Sequence, residues 1–326
     1  MKLRVAVLYG GRSGEHEVSL RSARSVLDAL DPERYEVSEV LISKDGRWSP
    51  RAILPEPGAN PDIDVVFPVL HGTFGEDGTV QGLLEMAALP FVGAGVLASS
   101  ASMDKEITKR LLSEKGLPVG DYVVLSPAHI GREEELCRQL GWPVFVKPAN
   151  LGSSVGISKA HNAAELRDAV KLAAQFDTKI LIEKAIVGRE FECAVLGNDQ
   201  PEAALPCEIL PSKEFYDYDD KYLLDKAQTV LPADLPDDRM SELRRIAVAA
   251  YQAVSCEGMA RVDFLYESAS GKLFVNEINT IPGFTSISMY PKMWEHMGLP
   301  LPQLVDRLIE LALERHRRRE SLRFTR

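Results

Sequence analysis

The sequence predicts an α/β protein whose C-terminal half is of the α+β type. From Leu3 to about Gly95, short apolar runs alternate with a helical segment, which is typical of a parallel sheet flanked by helices. After Ser99, strand-like and helical segments follow one another less regularly. The composition, 45% hydrophobic and 26% charged over 326 residues, is typical of a folded chain of two or three domains.

The spacing of apolar residues predicts the elements in order. In the first part of the chain it predicts strands at 5–9, 36–42 and 65–70 and a helix at 19–30. Further on it predicts helices at 103–115, 163–175, 238–255 and 304–313 and strands at 142–148, 179–183, 191–196 and 258–266. Between them, residues 212–225 carry three tyrosines and four aspartates, and we expect a long functional loop there.

Charge and cysteine content exclude several classes of partner. The formal charge of −10 argues against binding to nucleic acid or to an anionic membrane, and the arginines near the C-terminus are interpreted as a solvated helix end. The four cysteines form no CxxC pair, so we expect neither a zinc site nor a disulfide framework. The first apolar stretch is too short for a signal peptide, and no apolar segment is long enough to span a bilayer. We expect a cytoplasmic protein.

A β-hairpin is the most informative segment. We predict strands at 261–266 and 273–279, joined by a turn. Because alternate side chains share a face, Arg261 lies beside Asp263 and Glu277 lies beside Asn279. If the two faces coincide, three hard oxygen ligands converge, as magnesium prefers. The alternative is an exposed polar face with a satisfied Arg–Asp pair.

Two lysines and a glycine turn are candidates for phosphate binding. Lys147 ends an apolar strand, where its ammonium needs a partner, and Lys105 opens a helix. The glycines and serines at 150–157 form a turn that can fold its N–H groups over an anion, although a plain hairpin turn fits equally well. The chain has no GxxxxGK[ST] or GxGxxG motif. Glu183 and Glu190 belong either to a nucleotide pocket or to an edge strand.

Two further loops follow predicted strands, where open α/β sheets bind ligands. In the first, residues 10–17, Glu15 is a candidate for binding a substrate ammonium, whereas Glu17 complements the helix N-terminus. The second, residues 71–78, begins with His71, which has either a functional or a structural role.

Eight motifs resemble, in order, those of the D-alanine–D-alanine ligases of the ATP-grasp superfamily. They are GGRSGEHEVSL, HGTFGEDGTVQGLLE, SMDK, VKPANLGSSVGISK, EKAIVGREFE, FYDYDDKY, GMARVDF and NEINTIPGFTSISMYP, and they extend over nearly the whole chain. The resemblance implies an ATP-grasp fold preceded by a parallel, Rossmann-like domain. It implies domains at 1–103, 104–192 and 193–326, with ATP between the last two, and a homodimer.

The resemblance also implies roles for individual residues. It assigns nucleotide contacts to Lys105, Lys147, Ser154, Glu183, Lys184, Ile186 and Glu190. It assigns the binding of two magnesium or manganese ions to Asp263, Glu277 and Asn279. The oxyanion donors are Arg261 and the N–H of Gly283, and Glu15, near His71, pairs with the ammonium of the first D-alanine. Ser153 and Tyr222 lock the loop over the site, and Lys221 and Ser288 bind the second carboxylate.

The implied reaction joins two D-alanines for peptidoglycan synthesis. ATP phosphorylates the first carboxylate, and the amine of the second substrate attacks the acyl phosphate. Two rivals remain: a ligase with another acceptor, such as D-lactate, and a non-catalytic nucleotide-binding protein. The tyrosine at 222 favours D-alanine. Ala185 and Ile287 depart from residues common in the family, aromatic and histidine respectively, which leaves details of the adenine and second-substrate sites open.

Overall fold

The computed structural model describes residues 1–152, 155–210 and 228–323. Its first sheet has the strand order β3-β2-β1-β4, in which β1, β2 and β4 are parallel and β3 is an antiparallel edge. The sequence-predicted parallel sheet is therefore confirmed. The elements of this part are β1 (Leu3–Gly10), α1 (His16–Ala29), β2 (Tyr35–Ile42), β3 (Trp48–Ser49), β4 (Val65–Pro68), α2 (Thr79–Met86) and α3 (Val96–Met103).

A second, antiparallel sheet follows, with the order β5-β8-β6-β7. Helix α6 packs on it through Leu166 and Val170, which share a core with Val144 and Ile182. The elements are α4 (Lys105–Glu114), β5 (Tyr122–Leu125), α5 (Glu133–Cys137), β6 (Val144–Pro148), β7 (Ser158–Ala160), α6 (Ala163–Ala173) and β8 (Ile180–Lys184), with short 3₁₀ helices at Pro127–His129 and Arg138–Leu140.

The predicted helix at 103–115 is wrong at its start. The Asp104 side chain accepts hydrogen bonds from the backbone N–H groups of Glu106 and Ile107, each at 3.1 Å, while its own backbone is extended. Such an N-cap ends one helix and begins the next. Met103 therefore closes α3, and Lys105 is the first residue of α4.

The third sheet has the order β12-β11-β9-β13-β14, and β10 pairs with β9. Helix α7 covers one face, and α8 and α9 cover the other. Leu304 and Leu308 of α9 share a core with Val5 and Phe67 of the first sheet, so this helix joins the two sheets. The elements are β9 (Gly188–Gly197), β10 (Glu202–Ala203), β11 (Cys207–Leu210), β12 (Gln228–Val230), α7 (Asp237–Ala253), β13 (Gly258–Glu267), β14 (Lys272–Asn279), α8 (Met289–His296) and α9 (Leu301–Glu320).

Two sequence-based exclusions can be compared with the described residues. Cys137, Cys193, Cys207 and Cys256 are buried free thiols. Among the helices described in residues 1–152, 155–210 and 228–323, none combines the length and apolar character needed to cross a bilayer.

Candidate active site

The hairpin of β13 and β14 brings the predicted metal ligands to one face. The antiparallel register pairs Arg261 with Asn279 and Asp263 with Glu277. Since paired residues project to the same side of a sheet, the two faces coincide, and the condition on which the metal-site prediction depended is met. The register shifts directly after Asp263, where a β-bulge interrupts the ladder. Bulges of this kind re-aim side chains beside functional sites.

Asp263 is the centre of this face. It accepts two hydrogen bonds of 2.6 Å from Arg261, through Nε and Nη2, and one of 3.0 Å from Nδ2 of Asn279. The Arg261 and Asp263 side chains are only 16% and 13% exposed, so the face is not an exposed one, although the Arg–Asp pair of the alternative interpretation is present. The Asn279 amide uses its nitrogen in this bond, which leaves its oxygen as a donor atom for a metal.

The donor set fits magnesium or a similar hard cation. Two carboxylates and one amide oxygen are the ligand types that such ions prefer, with water and substrate phosphates completing the shell. Within the described residues, no three His, Cys, Asp or Glu side chains cluster in a way that would hold a metal by themselves. A metal bound here would therefore depend on the amide and on phosphate oxygens as well as on Asp263 and Glu277.

The predicted phosphate lysines line a cleft of about 350 Å³ between the second and third sheets. Lys105 donates to the backbone oxygen of Leu151 at 2.5 Å, and its Nζ lies 3.9 Å from Glu277. Lys147 forms an ion pair of 2.6 Å with Glu183. Both lysines are buried in the cleft wall. The cleft is thus lined by buried lysines together with Glu183 and the hairpin carboxylates.

Glu183 also pairs with a third lysine. Nζ of Lys109 lies 3.2 Å from Oε1 of Glu183, and this lysine is buried too. Burial raises the pKa of Glu183, but the charges of Lys109 and Lys147 outweigh it and hold that pKa below its ordinary value. The same burial lowers the pKa of Lys109, which Glu183 partly opposes.

The residues expected to contact adenine and ribose lie along the same cleft. Lys184, Ile186 and Glu190 line it, beside Lys109 and Gly152. Ser153 and Ser154, predicted to cover the phosphates, and Lys221 and Tyr222, predicted to close the loop, lie outside the described residues.

Glu15 lies where the first loop meets the second sheet. Its carboxylate is so close to the backbone that a Cβ on Gly72 would lie 2.6 Å from Oε2, and one on Gly152 would lie 3.4 Å away. The carboxylate therefore sits between the His71 loop and the predicted phosphate turn. Glu17, by contrast, is exposed and pairs with Lys44 at 2.8 Å.

His71 is buried, and both of its ring nitrogens have protein partners. Nδ1 lies 3.1 Å from the backbone oxygen of Ile281, and Nε2 lies 3.1 Å from Oγ of Ser22. Burial lowers its pKa, although the Glu15 charge opposes the shift. A direct substrate contact through the ring nitrogens would have to replace one of these bonds.

Gly283, a predicted oxyanion donor, and Ser288, predicted to bind the second carboxylate, lie close together after β14. Ser288 Oγ accepts the backbone N–H of Thr285 at 3.0 Å. A Cβ on Gly283 would lie 2.6 Å from that oxygen, so a larger residue at this position would displace the Ser288 hydroxyl.

Comparisons with known proteins identify the family of the chain. Models of the D-ala D-ala ligase N-terminus match residues 4–60 and 54–94, and a model of the D-ala D-ala ligase C-terminus matches residues 111–310. The chain is 64% identical to a D-alanine–D-alanine ligase of Solibacter usitatus, with 100% of each chain covered. The chain belongs to the D-alanine–D-alanine ligase family.

Solved structures of ligases share the fold of this chain. The D-alanine–D-alanine ligase of Coxiella burnetii superposes with a TM-score of 0.88 at 41% identity, covering 98% of this chain and 96% of that one. The VanG D-Ala:D-Ser ligase of Enterococcus faecalis also has a TM-score of 0.88, at 34% identity, covering 96% of this chain and 100% of that one. The expected ATP-grasp fold is confirmed.

The sequence interpretation missed three charged residues of this ligase site. Lys109 lies one helical turn after Lys105, a spacing that places both on one side of α4. Glu192 lies two residues after Glu190 on β9, and its Oε2 is 3.3 Å from Nε of Arg261. Glu76 accepts the backbone N–H groups of Gly72 and Ile281. The spacings were visible in the sequence, but the partners from other elements were not.

Proposed function

We propose that the protein joins two D-alanines to D-alanyl-D-alanine, with conversion of ATP to ADP and phosphate, for peptidoglycan precursor synthesis. The observation that carries the proposal is the cleft that is lined both by the buried Lys105 and Lys147 and by Asp263 and Glu277 of the hairpin, with Asn279 bonded to Asp263. Family membership supports the same reaction. Domain boundaries near residues 103 and 192, a cytoplasmic location and a homodimer belong to the proposal.

The chemistry explains why such a cleft is needed. A carboxylate is a poor electrophile, so the first D-alanine must be activated by transfer of the γ-phosphoryl group of ATP. Lys105 and Lys147 are placed to neutralise phosphate charge, and Lys147 would exchange Glu183 for phosphate oxygens. Divalent ions held by Asp263, Glu277 and Asn279 would neutralise further charge on the phosphates.

The second step is attack of an amine on the acyl phosphate. The negative charge that develops on the carbonyl oxygen needs fixed donors, and we assign these to Arg261 and to the N–H of Gly283. Asp263 and Glu192 hold the Arg261 guanidinium in a defined orientation. Glu15 would bind the ammonium of the first D-alanine.

Closure of the site completes the proposal. We assign Ser153 and Tyr222 to locking the loop, Ser154 to covering the phosphates, and Lys221 and Ser288 to the second carboxylate. Lys184, Ile186 and Glu190, together with Glu183, would hold the nucleoside. Exclusion of water would protect the acyl phosphate from hydrolysis.

The test is phosphate release from ATP and magnesium with D-alanine, using L-alanine as the control. We expect release with D-alanine only. The likeness to a D-Ala:D-Ser ligase favours one rival acceptor, so the products with D-alanine plus D-serine or D-lactate should be separated and identified. A mixed product formed in preference to D-alanyl-D-alanine would replace the proposed acceptor, and absence of D-alanine-dependent release would overturn the reaction.

A further inference from the structure

The loop that carries Gly283 is held from the first domain by three side chains. His71 Nδ1 lies 3.1 Å from the backbone oxygen of Ile281, and the backbone N–H of Ile281 donates to Glu76 at 3.3 Å. On the other side of Gly283, the backbone N–H of Phe284 donates to Ser22 Oγ at 3.2 Å. The loop is thus fixed both before and after the glycine.

The hydrogen positions in this network follow from the partners. The Ile281 oxygen only accepts, so Nδ1 of His71 must carry a proton. With burial lowering its pKa, the ring is neutral and Nε2 has no proton. Nε2 therefore accepts from the Ser22 hydroxyl, 3.1 Å away. Because Phe284 N–H only donates, Ser22 Oγ both accepts from the loop and donates to His71, and one hydroxyl joins the two contacts.

Ser22 is fully buried on α1, one face of which packs on the first sheet. Its distance from the loop in sequence is large, since the bond to Phe284 joins residues 262 positions apart. Removing the hydroxyl would leave both Nε2 of His71 and the N–H of Phe284 without this partner. Buried polar groups that lose a partner tend to shift until they find another one.

We propose that Ser22, acting through His71 and the N–H of Phe284, is a positioning residue that aims the N–H of Gly283 at the developing oxyanion. This inference rests on the proposed ligase function, in which Gly283 is an oxyanion donor. It gives His71 the role of a loop support. Glu76 holds the N-terminal end of the same loop by accepting the N–H of Ile281. It also accepts the N–H of Gly72 at 2.7 Å, so it connects the loop to Gly72.

The inference makes a specific prediction about the two chemical steps. Phosphorylation of the first carboxylate does not require the oxyanion donor, but amine attack does. If the donor is displaced, the acyl phosphate lasts longer and water competes with the amine. Water then attacks the phosphorus, the bond between the phosphorus and the acyl oxygen breaks, and D-alanine and phosphate are released with one proton. This route develops no charge on the carbonyl oxygen and therefore does not need the displaced donor. Phosphate release would exceed dipeptide formation.

The experiment compares Ser22→Ala with the wild-type protein and with Ser25→Ala as a matched control. Ser25 lies on the same helix, and its hydroxyl has a long contact of 3.5 Å with the backbone oxygen of Arg21 in that helix. Phosphate and D-alanyl-D-alanine are measured in the same samples. This ratio does not depend on the fraction of protein that is folded, so partial loss of stability leaves it readable.

We expect one phosphate per dipeptide for the wild type and for Ser25→Ala. For Ser22→Ala we expect a ratio above one and a dipeptide rate lowered about tenfold, less than the effect of deleting an oxyanion donor outright. The KM for ATP should stay unchanged, and Ser22→Cys, which keeps a weak donor and acceptor in a similar volume, should give an intermediate ratio.

Two results would overturn the inference. A ratio of one phosphate per dipeptide in Ser22→Ala would give Ser22 a structural role only. If the alanine variant does not fold, a ratio of one in Ser22→Cys would lead to the same conclusion. Failure of the ligase function itself looks different, because the wild type would then form no D-alanyl-D-alanine at all.

Discussion

At the scale of single residues, Asp263 has the largest number of assigned roles. It orients Arg261 through two hydrogen bonds and accepts one from Asn279, and we assign it to metal binding as well. One carboxylate thus connects the proposed oxyanion donor with the proposed metal site. Its substitution should affect both steps of the reaction.

Replacement of Asp263 by asparagine should lower kcat at least about a hundredfold, because even partners outside the ligand shell of a metal commonly contribute ten- to a hundredfold. The magnesium concentration for half-maximal activity should rise as well. Both are measured from initial rates over a magnesium series. Asp168→Asn is the matched control, since Asp168 is 79% exposed on α6 and pairs with nearby Lys171 of the same helix. Near-normal turnover of Asp263→Asn at saturating magnesium would contradict the assignment.

Glu76 predicts a pH dependence of stability. Part of the Glu76 side chain is exposed, but its carboxyl group is surrounded by protein. Burial of the carboxyl group, together with the charge of Glu15, raises its pKa to about 8 although two backbone N–H groups donate to it. A folded-state pKa above the unfolded one means that this stability is fully present below about pH 4.5 and is lost as pH rises through about 8. Stability should therefore fall across this window.

The measurement is the free energy of unfolding in urea at pH 5.5 and pH 8.5. We expect Glu76→Gln to remove part of the decrease seen in the wild type, because glutamine does not titrate. Glu17→Gln serves as the control, since the hydrogen bond from Lys44 and its charge lower the pKa of Glu17, which gives no loss of stability on going to alkaline pH. An equal decrease in the free energy of unfolding between pH 5.5 and pH 8.5 for the wild type and Glu76→Gln would show that the carboxyl group does not titrate in this way.

At the scale of elements, the hairpin was predictable because side chains in a strand alternate with a period of two and the turn was visible in the sequence. The turn sets the pairing of Phe264 with Val275 and by itself would pair Asp263 with Asn276. The β-bulge after Asp263 shifts its partner to Glu277, and the sequence did not predict that bulge. The break between α3 and α4 at Asp104 was missed, because helical spacing continued through a residue whose side chain caps the next helix. Contacts such as Glu192 with Arg261 join neighbouring strands, and local pattern alone does not reveal them.

Helix α4 supplies a prediction about nucleotide binding. Lys105 and Lys109 lie one turn apart on it, and Lys109 shares Glu183 with Lys147. Without Lys109, the negative charge of Glu183 would be neutralised by Lys147 alone. Glu183 would then compete with the phosphates for Lys147. Lys109→Met should raise the KM for ATP about tenfold, which corresponds to about 1.4 kcal/mol, and leave the KM for D-alanine unchanged.

Initial rates over separate ATP and D-alanine series check this split. Lys171→Met is the matched control, because Lys171 is 71% exposed on α6. A parallel rise of both KM values, or no rise for ATP, would contradict the role of Lys109.

At the scale of the whole molecule, the candidate site depends on all three sheets. The first sheet provides Glu15 and His71, the second provides Lys147 and Glu183, and the third provides the hairpin. Helix α9 ties the third sheet to the first, where Arg315 donates to the backbone oxygens of Phe91 and Gly93. Eight ordered motifs made this assembly predictable through resemblance, whereas the hydrogen bonds between sheets required the structure.

The most direct test of the central claim measures ADP, phosphate and D-alanyl-D-alanine together while magnesium is removed and restored. The claim is that the hairpin and the lysines couple ATP cleavage to peptide-bond formation in one cleft. We predict equal amounts of the three products, loss of all three in excess chelator, and recovery when magnesium is added back. Turnover that survives chelation, or ATP cleavage without dipeptide in the presence of D-alanine and magnesium, would contradict it.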